Sequence, residues 1–474
     1  MLTTDPASWL VIVAFGVAIG YALLNSSALV RRQEQGVRQF VRENAERLDD
    51  IKRRAQELEN QIAEGRVKET TPPLYGPRHP VYVIAWGRQN AALPPAPLAT
   101  LAVGQNDLYP AAYEVATNVP LESFAVTEQT EYPLKLLVGN FDFAFVIVYL
   151  YPLLIIALGF NLLTAEKEGG TLSLLLAQPV RLRTLTLAKV AARAALIFGS
   201  ALLFATIGFF FSEIGWQAEG LAAALLFCLL AVLIYGAFWL GLCVTVNAYL
   251  RTSAAAALVL VVGWLVFALL IPSSLNLAAT ALYPLPSRVE FINARRAADA
   301  EARKQSPQLV EQFFAAHPEF QRDANYPELG KQYLGNAAEA EEMARRMQPI
   351  RARFEKQLAG QQSLLHHLRF LSPVIVTRDA FHDLAGAGRD RQQEFLSQVS
   401  AYQQRWRQFF WPRTFALPPM TVATFDEIPR FAFHEESLRI VCRRLLFDLA
   451  ILLLPTLTVG WLGLRALRRF FLAG

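Results

Sequence analysis

FAFVIVYLYPLLIIALGFNLLTAEKEGGTLSLLLAQPV, residues 143–180, decides how the chain is read. Its first 23 residues, 143–165, carry no charge. A hydrocarbon core about 30 Å thick needs roughly 20 apolar residues in a helix, so this run is long enough to cross a membrane. It leaves the apolar phase through Glu166, Lys167 and Glu168. Gly169 and Gly170 permit a sharp change of direction without a Cβ penalty. Thr171 suits the first position of a new helix. Leu172, Leu174, Leu175 and Leu176 make that helix short and apolar, and Pro179 closes it. A helix of this kind, lying across a membrane face, fits a groove on a soluble partner. An amphipathic surface loop has the same composition, and both readings stay open at this point.

Working outward, the same character recurs. The chain has 474 residues, 54% of them hydrophobic, and a positive mean hydropathy. The apolar excess is packed into long blocks, as in membrane spans and unlike soluble domains. Besides Phe141–Leu163, five blocks qualify: Ala7–Val30, Leu185–Phe211, Ala218–Val246, Ser253–Ile271 and Leu445–Leu464. The first has only Asp5 ahead of it and no basic lead-in, so it reads as an uncleaved anchor. Glu213 and Glu219 bracket Gly215 and Trp216, which predicts a tight hairpin at a membrane surface. A net charge of +5 gives nucleic-acid binding no support. Three cysteines make no disulfide framework.

Basic residues in short loops set orientation. Lys167, Arg181, Arg183 and Lys189 lie between spans two and three, Arg251 between four and five, and Arg465, Arg468 and Arg469 after six. Six spans put all of these, with both termini, on one side, expected to be the cytoplasm. Arg31, Arg32, Arg443 and Arg444 run against this, but they adjoin long segments, where the rule weakens. The expected organisation is a first span (1–30), an extracytoplasmic segment (31–140), spans two to five (141–271), a second extracytoplasmic segment (272–444) and a sixth span with a basic tail (445–474). The fold class expected is predominantly α, a six-span membrane protein whose two outer segments build a mainly helical domain with some β structure and coiled-coil-like helices. Its size suggests a bacterial inner membrane with the outer segments in the periplasm.

In the first outer segment Val41, Leu48, Ala55 and Ile62 repeat every seven residues, Ile51 and Leu58 fill the second seam position, and Asn44 is its polar exception. This is a short coiled-coil pattern that continues span one as a stalk. Pro72, Pro73 and Pro77 are expected to end it. A second stripe carries Met343, Ile350, Leu364 and Leu371, with Met347, Phe354 and Leu368 beside it. The two stripes are either partners or each packs on its own domain. VYVIAW (81–86) reads as a buried strand and residues 93–110 as a Pro-punctuated loop, with Asp107 and Tyr109 open to recognition or to turn chemistry. Tyr402, Trp406, Phe409, Phe410 and Trp411 fit a core better than a membrane interface.

The acid–base–acid, Gly-Thr-Leu, leucine-run, Pro pattern resembles the signature of permeases of ABC exporters of the second ABC type, where it follows the second span. The matching positions are Glu166, Lys167, Glu168, Gly170, Thr171, Leu172, Leu175, Leu176 and Pro179, with Gly169 between them. The resemblance implies that this segment meets a separate ATP-binding subunit, which carries ATP and Mg, and that two membrane subunits pair, either two copies or two related permeases. LATLAVGQNDLYP (98–110), LRFLSPVIVTRDAFHDLAG (368–386) and RWRQFF (405–410) resemble a subgroup with a large extracytoplasmic insertion, loosely associated with multicopper-enzyme maturation. Only MLTTDPAS precedes span one, where the family usually has an interfacial helix with Glu and Arg, so that contact with the ATP-binding subunit is expected to be reduced or absent.

The chain has no G-x-x-x-x-G-K-[ST] and no G-x-S-x-G, so no catalytic site is expected and no cofactor on this chain. His366 and His367 are adjacent and do not share a helix face. Met343 and Met347 are four apart, a spacing open to soft metal ligands but equally to core filler, and no metal site is assigned. Three functions remain. One is the permease subunit of an ATP-driven exporter. Another is a subunit that transmits the same motion to its outer helices, acting on a periplasmic protein or on lipid. The third is a membrane scaffold without an ATPase.

Overall fold

The computed structural model describes residues 6–68, 76–104, 110, 112–115, 140–170, 182–212, 220–316, 328–416 and 420–473. Among the described residues six helices are long and apolar enough to cross a membrane: Pro6–Ala63, Phe143–Glu168, Thr186–Phe211, Leu221–Tyr249, Ser253–Leu282 and Arg439–Leu467, here spans one to six. The hairpin expected at 213–219 lies outside the described residues. Asn25 donates to the Phe141 carbonyl at 3.1 Å, which sets the end of span one's apolar half beside the start of span two. At the other end of the bundle Leu162 and Leu163 of span two pack with Val244 of span four and Leu467 of span six.

Spans one and three cross closely. Gly16 faces the Phe204 ring and Gly208 faces Leu23, so each helix offers a missing side chain to the other. Without a hydrophobic drive between helices in lipid, such close backbone approach is what favours their association. Between spans two, four and five the core is aromatic. Tyr151, Tyr235, Phe238 and Trp239 are buried, and Phe267 stands edge-on to Phe238 at 5.7 Å and to Trp239 at 6.2 Å.

Span one does not stop at the membrane. It is one helix of 58 residues, about 87 Å at 1.5 Å per residue, so the expected stalk is continuous with the span. Its end differs from expectation. Gly65 at φ 71° receives the chain, with Gly65 N–H donating to Ile62 O and Arg66 N–H to Gln61 O. That paired closure needs a left-handed residue, and a glycine supplies it before the three prolines are reached.

The stalk half enters a compact head. Leu48, Ile51 and Ala55 pack with α1 (Pro80–Trp86), β1 (Gln89–Ala92), β2 (Ala112–Val115) and residues of the later helices that complete this core. β1 and β2 pair antiparallel, Gln89 opposite Val115. Asn44, the polar exception of the heptad, docks the strand: it donates to Asn90 O at 2.8 Å and accepts from Asn90 N at 2.9 Å. VYVIAW is therefore helix, a correction to the expected strand. Pro80 sits in its first turn and the His79 ring nitrogen accepts from Val81 N at 3.1 Å. A cap and a proline favour helix where periodicity over six residues does not discriminate.

Beyond span five, α2 (Arg288–Lys304), α3 (Ser306–Ala316) and α4 (Glu328–Leu368) form a helical arm. Met343 and Met347 of α4 pack on Ala298 of α2, with Phe291 and Ile350 against them. Met343, Met347 and Ile350 of the second stripe thus pack in the arm, and Leu48, Ile51 and Ala55 of the first pack in the head, while Val41 and Leu371 are exposed. Next, α5 (Pro373–Leu384) leaves the arm and seats in the bundle: Val374, Val376, Phe381 and Leu384 join the core of the spans. Returning to the head, α6 (Arg389–Ala416) brings Phe395, Val399, Tyr402, Trp406 and Phe410 into the core of the head, closed by Phe425 of α7 (Val422–Asp426). Of the aromatic run, Tyr402, Trp406 and Phe410 are core, Phe409 packs against them part-buried, and Trp411 lies at the edge.

Candidate functional site: a polar joint at one end of the bundle

Span two is interrupted near its end. Its helix stops at Gly159 and resumes as a short turn, Thr164–Glu168. Exposed backbone groups at such a break are tolerated in a membrane protein only where side chains satisfy them. Asn247 of span four does so. It is fully buried, its Oδ1 accepts from Leu163 N at 3.2 Å and from Thr164 Oγ1 at 3.2 Å, and its Nδ2 donates to Gly159 O at 3.1 Å and to Cys243 O at 2.9 Å. Thr164 Oγ1 also lies 3.0 Å from Ser253 Oγ, at the start of span five.

The charged residues that follow carry the joint further. Lys167 Nζ donates to Asn247 O at 2.9 Å, Ala248 O at 3.2 Å and Leu250 O at 2.8 Å, the last carbonyls of span four. The Glu168 carboxylate accepts from Ser253 N at 2.9 Å and Ser253 Oγ at 2.6 Å, at the beginning of span five. A cation is favoured at a helix's C-terminal end and an anion at its N-terminal end. The two neighbouring residues meet the two helix ends that adjoin at the 250–252 turn. Glu166 pairs with Lys189 of span three, and Arg193 Nη2 donates to Asn161 Oδ1 at 3.0 Å. Spans two to five thus share one polar joint. Gly170, at φ 64°, closes the turn in the left-handed region.

Of the residues singled out in the sequence, Glu166, Lys167, Glu168, Gly169 and Gly170 are described, and the first three hold contacts within the chain. Thr171, Leu172, Leu175, Leu176 and Pro179 lie outside the described residues. Asn247, Ser253 and Lys189 complete the joint, although the sequence points to Lys189 only for orientation, to Ser253 only as the start of a span and to Asn247 not at all. For Asn247 a signal existed: it is the one carboxamide in an otherwise apolar span of 29 residues. A buried amide in a membrane helix marks a polar contact between helices.

Residues 115–275 match the family model described as ABC-2 family transporter protein, which takes in spans two to four, most of span five and the joint. Residues 288–434 match a second one, described as a domain of unknown function (DUF3526), which takes in the arm, α5, α6 and α7. No curated protein and no solved structure matches the chain. With six helices of spanning length among the described residues, the chain is a multi-pass membrane protein, and the stretch with spans two to four and most of span five is similar to the ABC-2 family of transporter proteins.

Proposed function

We propose that this chain is the membrane subunit of an ATP-driven exporter, moved by a separate ATP-binding subunit that docks on residues 165–180. ATP and Mg belong to that partner. The observation that carries the reading is the joint. Glu166, Lys167 and Glu168, which lead directly into 171–180, are bonded to spans three, four and five. A force on the segment therefore reaches three spans at once. The joint side is read as cytoplasmic and the head and arm as periplasmic, in a bacterial inner membrane, with a second permease copy or a related permease beside this one.

The first test is purification of the detergent-solubilised chain from its native membrane with identification of co-purifying proteins. An ATP-binding subunit in near-stoichiometric amount supports the proposal. Recovery of the chain alone, or with periplasmic proteins only, turns the reading toward a scaffold. In the intact complex, Glu166→Lys sets two cations together at Lys189, and Gly170→Pro removes the left-handed turn. Both are expected to uncouple ATP hydrolysis from function while membrane insertion is retained; full function in both variants would count against the coupling role.

A second reading draws support from span one. Its single helix carries the membrane half into the head, so motion of the bundle has a rigid route outward. On this reading the ATP-driven movement acts on a periplasmic protein or on lipid, without a substrate crossing the bilayer. Nucleotide-dependent cross-links between stalk and head partner, in the absence of substrate passage, distinguish it.

A further inference from the structure

Spans two and five share an irregularity. Val146–Leu150 and Val266–Leu270 are π-helical turns, and each is followed, one residue on, by a proline: Pro152 and Pro272. A π turn inside a membrane helix is a local weakness and is frequent at functional sites. In span five the consequence is specific. Ile271 N–H donates to Val266 O, five residues back. The Phe267 carbonyl would next look to position 272, which is a proline and has no N–H. It is left without a donor from its own helix.

The donor comes from outside the span. Ser372, the residue preceding α5, donates its hydroxyl to Phe267 O at 2.7 Å. Other carbonyls of the π turn in span two receive donors from within the bundle, Tyr235 donating to Val148 O at 2.7 Å and Trp264 to Tyr149 O at 3.2 Å. Only three residues before Ser372, Arg369 pairs with Asp448 of span six at 2.7 Å. Both side chains are almost wholly buried, 8% and 2% exposed. α5 itself then packs along the spans, with Phe381 edge-on to Phe143 at 5.8 Å.

We propose that the 369–384 segment is a latch: Ser372 holds the π turn of span five and Arg369 holds Asp448 of span six, so that spans five and six are fixed to each other through the turn that leads into α5 and belongs to neither span. Release of the two contacts frees the span-five turn to bend while the head stays folded. Unlike an ordinary loop contact, the latch meets a backbone group that the span cannot satisfy and a charge that the bilayer does not tolerate alone. The inference does not depend on an ATP-binding partner.

The test is amide hydrogen exchange on the full-length chain in lipid nanodiscs, read on peptides covering 264–272, 373–384 and 399–410. Losing one hydrogen bond at a local opening should speed exchange about 3–10-fold. Ser372→Ala is expected to do so over 264–272 and to leave 399–410, in the core of the head, unchanged. Ser372→Thr, which keeps a hydroxyl, is expected to retain the original rates. Asp448→Asn strands a buried guanidinium and is expected to act more strongly, on 373–384 as well. Unchanged exchange at 264–272 in Ser372→Ala overturns the latch. So does an equal rise in the head, since that reports general loosening.

Discussion

Lys167 bonds directly to the Asn247 carbonyl at the joint, and the two side chains contribute differently. Asn247 is fully buried and spans the break in span two with both its donor and its acceptor atoms. Asn247→Ala strands Leu163 N in an apolar surrounding, while Thr164 Oγ1 keeps Ser253 and Phe160 and Gly159 O keeps Leu162 N, and a loss of about 2–3 kcal/mol is expected. Lys167 is part-buried and meets carbonyls at a helix end. Water replaces it there, so Lys167→Ala is expected to cost about 1 kcal/mol. Thermal unfolding of the two variants in one detergent measures the difference; equal losses would mean that Asn247 is not the centre of the joint. The sequence makes Glu166, Lys167 and Glu168 legible as a group, because charges at the end of an apolar run are conspicuous. Their partners are not legible. Which helix ends lie beside a lysine is a fact of tertiary packing, and nothing local to 165–170 encodes Ser253.

At the scale of elements, two short helices carry opposite pH dependences. His79 caps α1, and burial lowers its pKa to about 4. A ring nitrogen that accepts the Val81 N–H must be unprotonated. The unfolded chain binds the proton at about 6.5, so the stability contributed is present above that value and is lost as pH falls from about 6.5 to 4. Asp383 of α5 is the reverse. Burial raises its pKa to about 7, Asp448, Asp390 and Asp379 add to the rise, and Arg444 opposes it. Its neutral form is the one the fold favours, so the stability contributed is present below the usual carboxylate range and is lost as pH rises toward 7. Exchange of α1 is expected to quicken on acidification and that of α5 on alkalinisation. His79→Asn, which keeps a capping side chain, should flatten the first dependence, and Asp383→Asn the second; a slope that survives its own substitution has another origin. These helices also mark the limit of reading elements from pattern. VYVIAW is apolar on both alternations, so its class rests on Pro80 and the cap. LRFLSPVIVTRDAFHDLAG shows an amphipathic helix but not that its apolar face enters a bundle of spans, since burial in lipid and burial in protein select the same residues.

For the whole molecule, six apolar blocks sufficed to read the architecture, because span length is set by the bilayer and not by partners. The relation of head to membrane is legible only in part: the heptad predicts a stalk that continues span one, and the two are one helix, which on the second reading acts as a lever. Gly36 lies in that helix between its membrane half and the first head contacts, and its Cβ position is open, with no atom within 4 Å. Gly36→Ala therefore fits without strain and should stiffen the helix slightly, by about 0.5–1 kcal/mol. Gly36→Pro removes a helical hydrogen bond and clashes with the preceding turn, at about 3 kcal/mol locally. Spin labels at Arg53 in the stalk and Phe211 at the near end of span three, both exposed, report how firmly the head is held to the bundle. A narrow distance distribution is expected for the original chain and for Gly36→Ala, and a broad one for Gly36→Pro, with the thermal transition of the aromatic head core unchanged. If Gly36→Pro keeps the narrow distribution, the head is positioned by α5 and the packing of residues 98–102 against the spans, and span one is an anchor instead of a lever. In that case motion from the joint reaches the head through span five, Ser372 and Arg369, and disabling the latch in the Gly36→Pro background should broaden the distribution that neither change broadens alone.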